Sequence, residues 1–240
     1  MDKNDKPKNL KDMKKLFFAF AAIVMSAFAT EANAQILSQF DWMPPYKLGA
    51  TVGLNVPSFS DSHYSASIGF QTGLNLMVDG SEFMKNTFGR VELKYSMKGG
   101  YHYGFFNNEA LGTRVMEDAY FTSHYLEIPV HAGYAWYINE DYSFMLEAGP
   151  YFALGLAGRQ RSEGMVVDAN GSKRSYSTTE PFFGGSNNCT RFDVGLGLQA
   201  SLMYLKDYQV HVAYDFGFVN LNPMFQQNRN FSIGVTYFFE

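Results

Sequence analysis

Residues 125–158 read Tyr-Leu-Glu-Ile-Pro-Val-His-Ala-Gly-Tyr-Ala-Trp-Tyr, a polar break at Ile138 to Asp141, then Tyr-Ser-Phe-Met-Leu-Glu-Ala-Gly-Pro-Tyr-Phe-Ala-Leu-Gly-Leu-Ala-Gly. In the first arm Leu126, Ile128, Val130, Ala132, Tyr134 and Trp136 share one parity, and Glu127, Pro129, His131 and Gly133 the other. That period of two belongs to a strand with two unlike faces. The second arm repeats it, with Phe144, Leu146, Ala148, Phe152, Leu154 and Leu156 set against Ser143, Glu147, Gly149, Tyr151 and Gly155. Asn139 and Asp141 in the break make the two arms a hairpin. Each arm is longer than an ordinary strand of about five or six residues, and strands of about nine to eleven tilted residues are what a bilayer requires.

The same alternation recurs outward from this hairpin, at 46–56, 66–78, 88–98, 191–204, 208–218 and 231–239. The sequence therefore predicts an all-β chain, an eight-stranded antiparallel up-and-down transmembrane β-barrel over 46–240. Alternate connections are short, and two of the others are long, at 99–121 and 159–190. This is the asymmetry between periplasmic turns and outer loops in outer-membrane barrels. Alternation alone does not say which face is inside, because a soluble ligand-binding barrel alternates too. Glycine decides it. Gly49, Gly53, Gly69, Gly73, Gly133, Gly149, Gly155, Gly195, Gly197, Gly217 and Gly234 all share the parity of the charged residues, while Gly89 sits with the apolar set. Glycine makes room where side chains converge in a narrow barrel, so the polar face points inward. Trp136, Tyr137, Tyr142, Tyr204, Tyr208, Tyr237 and Phe239 fall near the short-turn ends, as an interfacial girdle would.

The chain has 240 residues, 46% hydrophobic and 17% aromatic, which suits one large domain and excludes disorder. Lys14 and Lys15, the apolar run 16–28 and the small residues Ala32-Asn33-Ala34 read as a secretory signal peptide over 1–34, with Met13 an alternative start. A periplasmic leader follows at 35–45. The address is thus the outer membrane of a Gram-negative bacterium. No cysteine follows the cleavage site, so anchoring falls to the fold rather than to lipidation. The mature part carries 13 basic and 19 acidic residues, which argues against nucleic acid as a partner. Cys189, the single cysteine, reads as incidental in a polar loop.

Arg90, Glu92, Lys94, Lys98, Glu127, His131, Glu147, Arg191, Asp193, His211 and Asp215 all fall on the inward parity. A lumen this narrow is filled by side chains, and a charge removed from water needs a partner, so they read as a polar network rather than a channel lining. A hairpin centred near Asn139 would set Glu147 beside His131 and Pro129 near Pro150, with a shared bulge at the prolines. Ser123 and His124 invite comparison with barrels that act on lipid, but neighbouring strand residues point to opposite faces and cannot easily form a catalytic pair. No catalytic, metal-ligating or cofactor-binding set is expected. The aromatic loop 99–121, with Tyr101, Tyr103, Phe105, Phe106, Tyr120 and Phe121, is the candidate contact surface, since binding residues concentrate on loops.

Tyr125-Leu126-Glu127-Ile128-Pro129, Ala148-Gly149-Pro150-Tyr151, the run from Arg191 to Leu196, the run from Tyr214 to Asn220 and the terminal Tyr237-Phe238-Phe239 together resemble the PorT-like outer-membrane β-barrel family of Bacteroidota. The resemblance implies an integral barrel without assigning one activity, and one branch is associated with type IX protein secretion. The aromatic terminus also resembles the signal read by the barrel-insertion machinery, although Glu240 stands where Phe is common. The sequence reading is a non-enzymatic barrel with a structural or surface-interaction role. Its partners would be outer-membrane lipid and a surface or secretion-system protein. The alternatives are an accessory of a secretion or envelope machine, a narrow channel and a lipid-modifying barrel.

Overall fold

The structure, a computed structural model, describes residues 46–239 except 62, 83, 109–112, 169, 185–187 and 223–226, and of 105–108 and 113–115 the backbone alone. The export signal and leader expected at 1–45 lie outside the described residues. Nine strands are present among those described: β1 (Tyr46–Phe59), β2 (Gly69–Asp79), β3 (Thr87–Asn108), β4 (Thr113–Tyr137), β5 (Tyr142–Val167), β6 (Lys173–Pro181), β7 (Phe192–Tyr204), β8 (Tyr208–Gly217) and β9 (Asn228–Phe238). Every pairing is antiparallel. Eight strands form a closed ring, with β1 between β2 and β9, and β4 joined to β5 (Trp136↔Phe144).

The inward and outward sets are those that parity assigns. Thr51, Asn55, Gln71, Asn75, Ser96, Gln209 and Thr236 are buried, while Val52, Leu74 and Ile68 are 62%, 62% and 78% exposed. An apolar surface this continuous belongs in lipid, since a soluble chain rarely exposes patches of more than a few hundred Å². At the short-turn end the girdle forms ring pairs, Tyr142 with Tyr204 at 4.8 Å and Tyr208 with Tyr237 at 5.2 Å. Gly133 shows why glycine lines the inside, because a Cβ there would collide with the Phe88 ring that fills the lumen beside it. Gly89, on the outward set, has nothing within 4 Å of such a Cβ.

Three details depart from the sequence expectation. The supposed loops 99–121 and 159–190 are largely strand: β3 and β4 pair out to Asn108↔Thr113, β4 and β5 out to Arg114↔Val167, and β6 pairs β5 from Arg159↔Pro181 to Val167↔Lys173. The ladder continues where no lipid enforces alternation, and there the sequence loses its contrast of faces. The prolines carry no bulge, since Pro129↔Tyr151 and Ala132↔Ala148 belong to one register; the shift lies between His124 and Tyr125, where Leu156 is the extra residue. The hairpin centres one residue beyond Asn139, whose Oδ1 accepts the backbone N–H of Asp141 (3.0 Å) and Tyr142 (2.8 Å), and Glu147 therefore lies opposite Gly133.

Candidate functional site

The interior is built in two storeys. The lower one is ionic. Arg90 on β3 sets its Nε 3.0 Å from Glu147 Oε2 on β5, His131 on β4 approaches the same oxygen at 3.8 Å, and Gln199 on β7 donates to Glu147 Oε1 at 2.6 Å. His131 is thus reached diagonally across the pair rather than directly. Further along, Glu127 takes Lys98 at 2.5 Å and Lys94 at 3.4 Å. Asp193 accepts from Tyr151 Oη (3.1 Å) and Asn228 (2.9 Å), and Asp215 from Asn230 (3.2 Å). Glu92 and His211 are buried among them. At the turn end Lys47 donates to the Lys206 carbonyl (2.6 Å) and lies 3.2 Å from Asp207. Besides the Lys47–Asp207 pair, three basic and five acidic side chains from five strands are thereby gathered in one interior, where opposite charges offset the cost of burial.

Arg191 departs from this set. It lies just before β7, exposed, and its Nη1 donates to the carbonyls of Gly155 and Leu156, both at 2.9 Å, while the guanidinium stacks 5.1 Å from the Phe183 ring. At the bulge around Leu156, Phe183 occupies the space a Gly155 side chain would need, and Arg191 donates to the two successive carbonyls of Gly155 and Leu156.

The upper storey is aromatic. Above Lys98, whose ammonium lies 4.7 Å from the Tyr151 ring, Tyr125 meets Phe183 edge-on at 5.6 Å and Phe183 meets Phe182 at 5.1 Å. Phe59, Phe121 and Tyr64 continue the cluster at 5.4–6.0 Å. Ala119, Ala153, Cys189 and Leu221 complete it. Phe121, expected as a surface contact, is therefore buried here, because on β4 it shares the inward parity of Ser123 and Tyr125. Cys189 is also enclosed, with Asn222 Nδ2 at 3.4 Å, and burial pushes its thiol up to about 12. Sequence reasoning missed this plug, although Phe182-Phe183 in an otherwise polar segment is the signal that marks it.

Of the other contact candidates, Tyr103 and Tyr120 are exposed, and Tyr101 packs 4.9 Å from Tyr120 while its Oη donates to Asp118 at 2.7 Å. The side chains of Phe105 and Phe106 lie outside the described residues. Ser123 and His124 point apart: Ser123 Oγ donates to the Lys98 carbonyl inside (3.2 Å), and His124 Nδ1 meets Tyr95 Oη at 2.6 Å. Among the described residues no cluster of His, Cys, Asp and Glu has the arrangement of a metal site.

A family model for the outer membrane protein beta-barrel domain matches residues 34–226. The chain belongs to this family. Among solved structures it is similar to Neisserial surface protein A, at 14% identity over 81% of this chain and 97% of that one, with a TM-score of 0.39. It is also similar to the attachment invasion locus protein Ail of Yersinia pestis, at 16% identity over 81% and 99% with a TM-score of 0.35, and to the outer membrane enzyme PagL, at 15% over 80% and 98% with 0.34. No curated protein matches it significantly.

Proposed function

We propose that this outer-membrane barrel is closed to solutes and acts at the cell surface, as a non-enzymatic interaction protein, through the sheet that β3 to β6 raise beyond the membrane. The observation that carries this reading is the two-storey filling of the lumen. Ion pairs occupy the lower half and rings the upper half, while the β3–β6 sheet continues past both with Tyr103 and Tyr120 exposed. A chain that spends its interior on packing has its outer surface left for recognition. The opposed directions of Ser123 and His124 support a role other than lipid hydrolysis. The PorT-like motifs support membership in the PorT-like family of Bacteroidota, and favour a surface or secretion-machine protein as the partner class.

Single-channel recording in a planar bilayer tests the reading. The folded, heat-modifiable protein is expected to be silent. Steady conductance that changes with Glu147→Ala or Arg90→Ala would make this a channel and overturn the proposal.

A further inference from the structure

β6 is the terminal strand of the sheet order: one edge pairs with β5 over all nine residues, and among the described residues no strand pairs the other. Natural sheets blunt such edges with charge, proline or bulges. Here Lys173 and Arg174 stand at one end and Pro181 at the other, the register between them is unbroken, and the strand is exposed nearly throughout. It is anchored from behind by Tyr176, whose ring covers Gly164 on β5 and whose pKa is raised by burial and by Glu117.

The hydrogen bonds to β5 fix which groups the edge offers. Phe182 N–H donates to the Gly158 carbonyl and Asp168 N–H to the Ser172 carbonyl, so even-numbered positions of this segment turn toward β5. By alternation Lys173, Ser175, Ser177 and Thr179 present both N–H and C=O to the open side, and Pro181 presents a carbonyl alone. The sequence of that edge, Lys-Arg-Ser-Tyr-Ser-Thr-Thr-Glu-Pro, is self-complementary about Ser177. An antiparallel copy centred there sets Ser177 against Ser177, Ser175 against Thr179, Tyr176 against Thr178 and Arg174 against Glu180. Hydroxyl, aromatic with β-branched, and opposite-charge pairs are the three kinds that stabilise neighbouring strands. The proline falls at the rim, where its missing donor costs one bond at each end.

We infer that β6 is a self-recognition edge, through which two copies of this protein join by antiparallel β6–β6 pairing about a two-fold axis at Ser177. The inference rests on the surface-interaction reading and names its partner, a second copy. Such a contact is isologous, with each half supplying the same patch. An edge of this length buries less than the roughly 1,000 Å² of a stable interface. Because β6 runs back along β5 toward the membrane, an antiparallel copy has its barrel at the opposite end, so the pairing joins barrels of facing membranes. It is weak between single molecules and gains strength where many copies face each other.

Cysteine cross-linking of the full protein in detergent micelles tests it, in a Cys189→Ser background. Residues facing across the axis lie about 5.5 Å apart at Cα, within disulfide range. Ser177→Cys is expected to yield a linked dimer on oxidation or with a short bismaleimide, and Ser175→Cys, which faces Thr179, much less. R174E in the S177C chain sets like charges across both symmetric pairs and should abolish the dimer. Adding E180R restores opposite pairs and should bring it back, even though the 3.4 Å contact of Arg174 with Asp168 stays lost. Equal cross-linking at 175 and 177, or a dimer indifferent to R174E, overturns the inference. The same preparations are recorded for conductance, so a closed barrel that fails to link overturns self-pairing alone, and a conducting one overturns the reading beneath it.

Discussion

The two storeys of the lumen solve one packing problem by opposite chemistry. In the lower, Glu147 and Glu127 are each gripped by at least two basic or amide groups from other strands, and no one contact stands alone. In the upper, rings from β1, β4 and the segment after β6 meet edge-on at distances that any aromatic would accept. The first arrangement is intolerant of losing a single partner and the second degrades by volume. The barrel is therefore pinned at its charged half and filled at its aromatic half.

The largest break should come from Glu127→Ala. It strands Lys94 and Lys98, both buried, and removing one partner of a buried pair costs about 3–5 kcal/mol. Urea unfolding of the refolded barrel, followed by its heat-modifiable mobility, reads the loss, and adding Lys98→Met should recover part of it. Phe182→Ala in the aromatic storey should cost about 3 kcal/mol, as ring truncation in a packed interior does. A methionine at 182 should lose little, because volume is what that site requires. If Glu127→Gln is as harmless as Phe182→Met, the two storeys do not differ and the comparison fails. Gly133→Ala, pressing on Phe88, should cost about 1–3 kcal/mol.

The lower storey was legible in the sequence and the upper one was not. Between lipid and lumen every strand must alternate, so Arg90, Glu92, Lys94, Lys98, Glu127, His131, Glu147, Asp193, His211 and Asp215 are placed inside by parity alone, and ten of the eleven candidates lie there. Arg191 fails because parity holds within a strand, and it precedes β7 beside a bulge that spacing does not reveal. Beyond the membrane one solvent contrast disappears. The runs 159–164 and 173–181 carry charged or hydroxyl side chains on both faces, so a regular ladder reads as loop. Phe182 and Phe183 then look isolated, when in fact they return to the axis and seal it.

The smallest effect belongs to the outer sheet, where Tyr101 and Asp118 lie on neighbouring strands at Tyr103↔Asp118 and Tyr101↔Tyr120. The Asp118 carboxylate accepts the Tyr101 hydroxyl and holds its pKa up to about 12 against the usual 10. A tyrosine raised in the folded state favours folding while it keeps its proton. That contribution is whole below the ordinary tyrosine value and is lost as pH climbs through the raised one. Asp118→Asn removes the charge and should bring Tyr101 back toward its ordinary titration, read by difference absorbance against a Tyr101→Phe control. Stability near neutral pH should change little, since the pair is open to solvent. A profile unmoved by Asp118→Asn would mean that the outer sheet does not hold these two strands in the register described, and would weaken the case for an ordered surface above the plug.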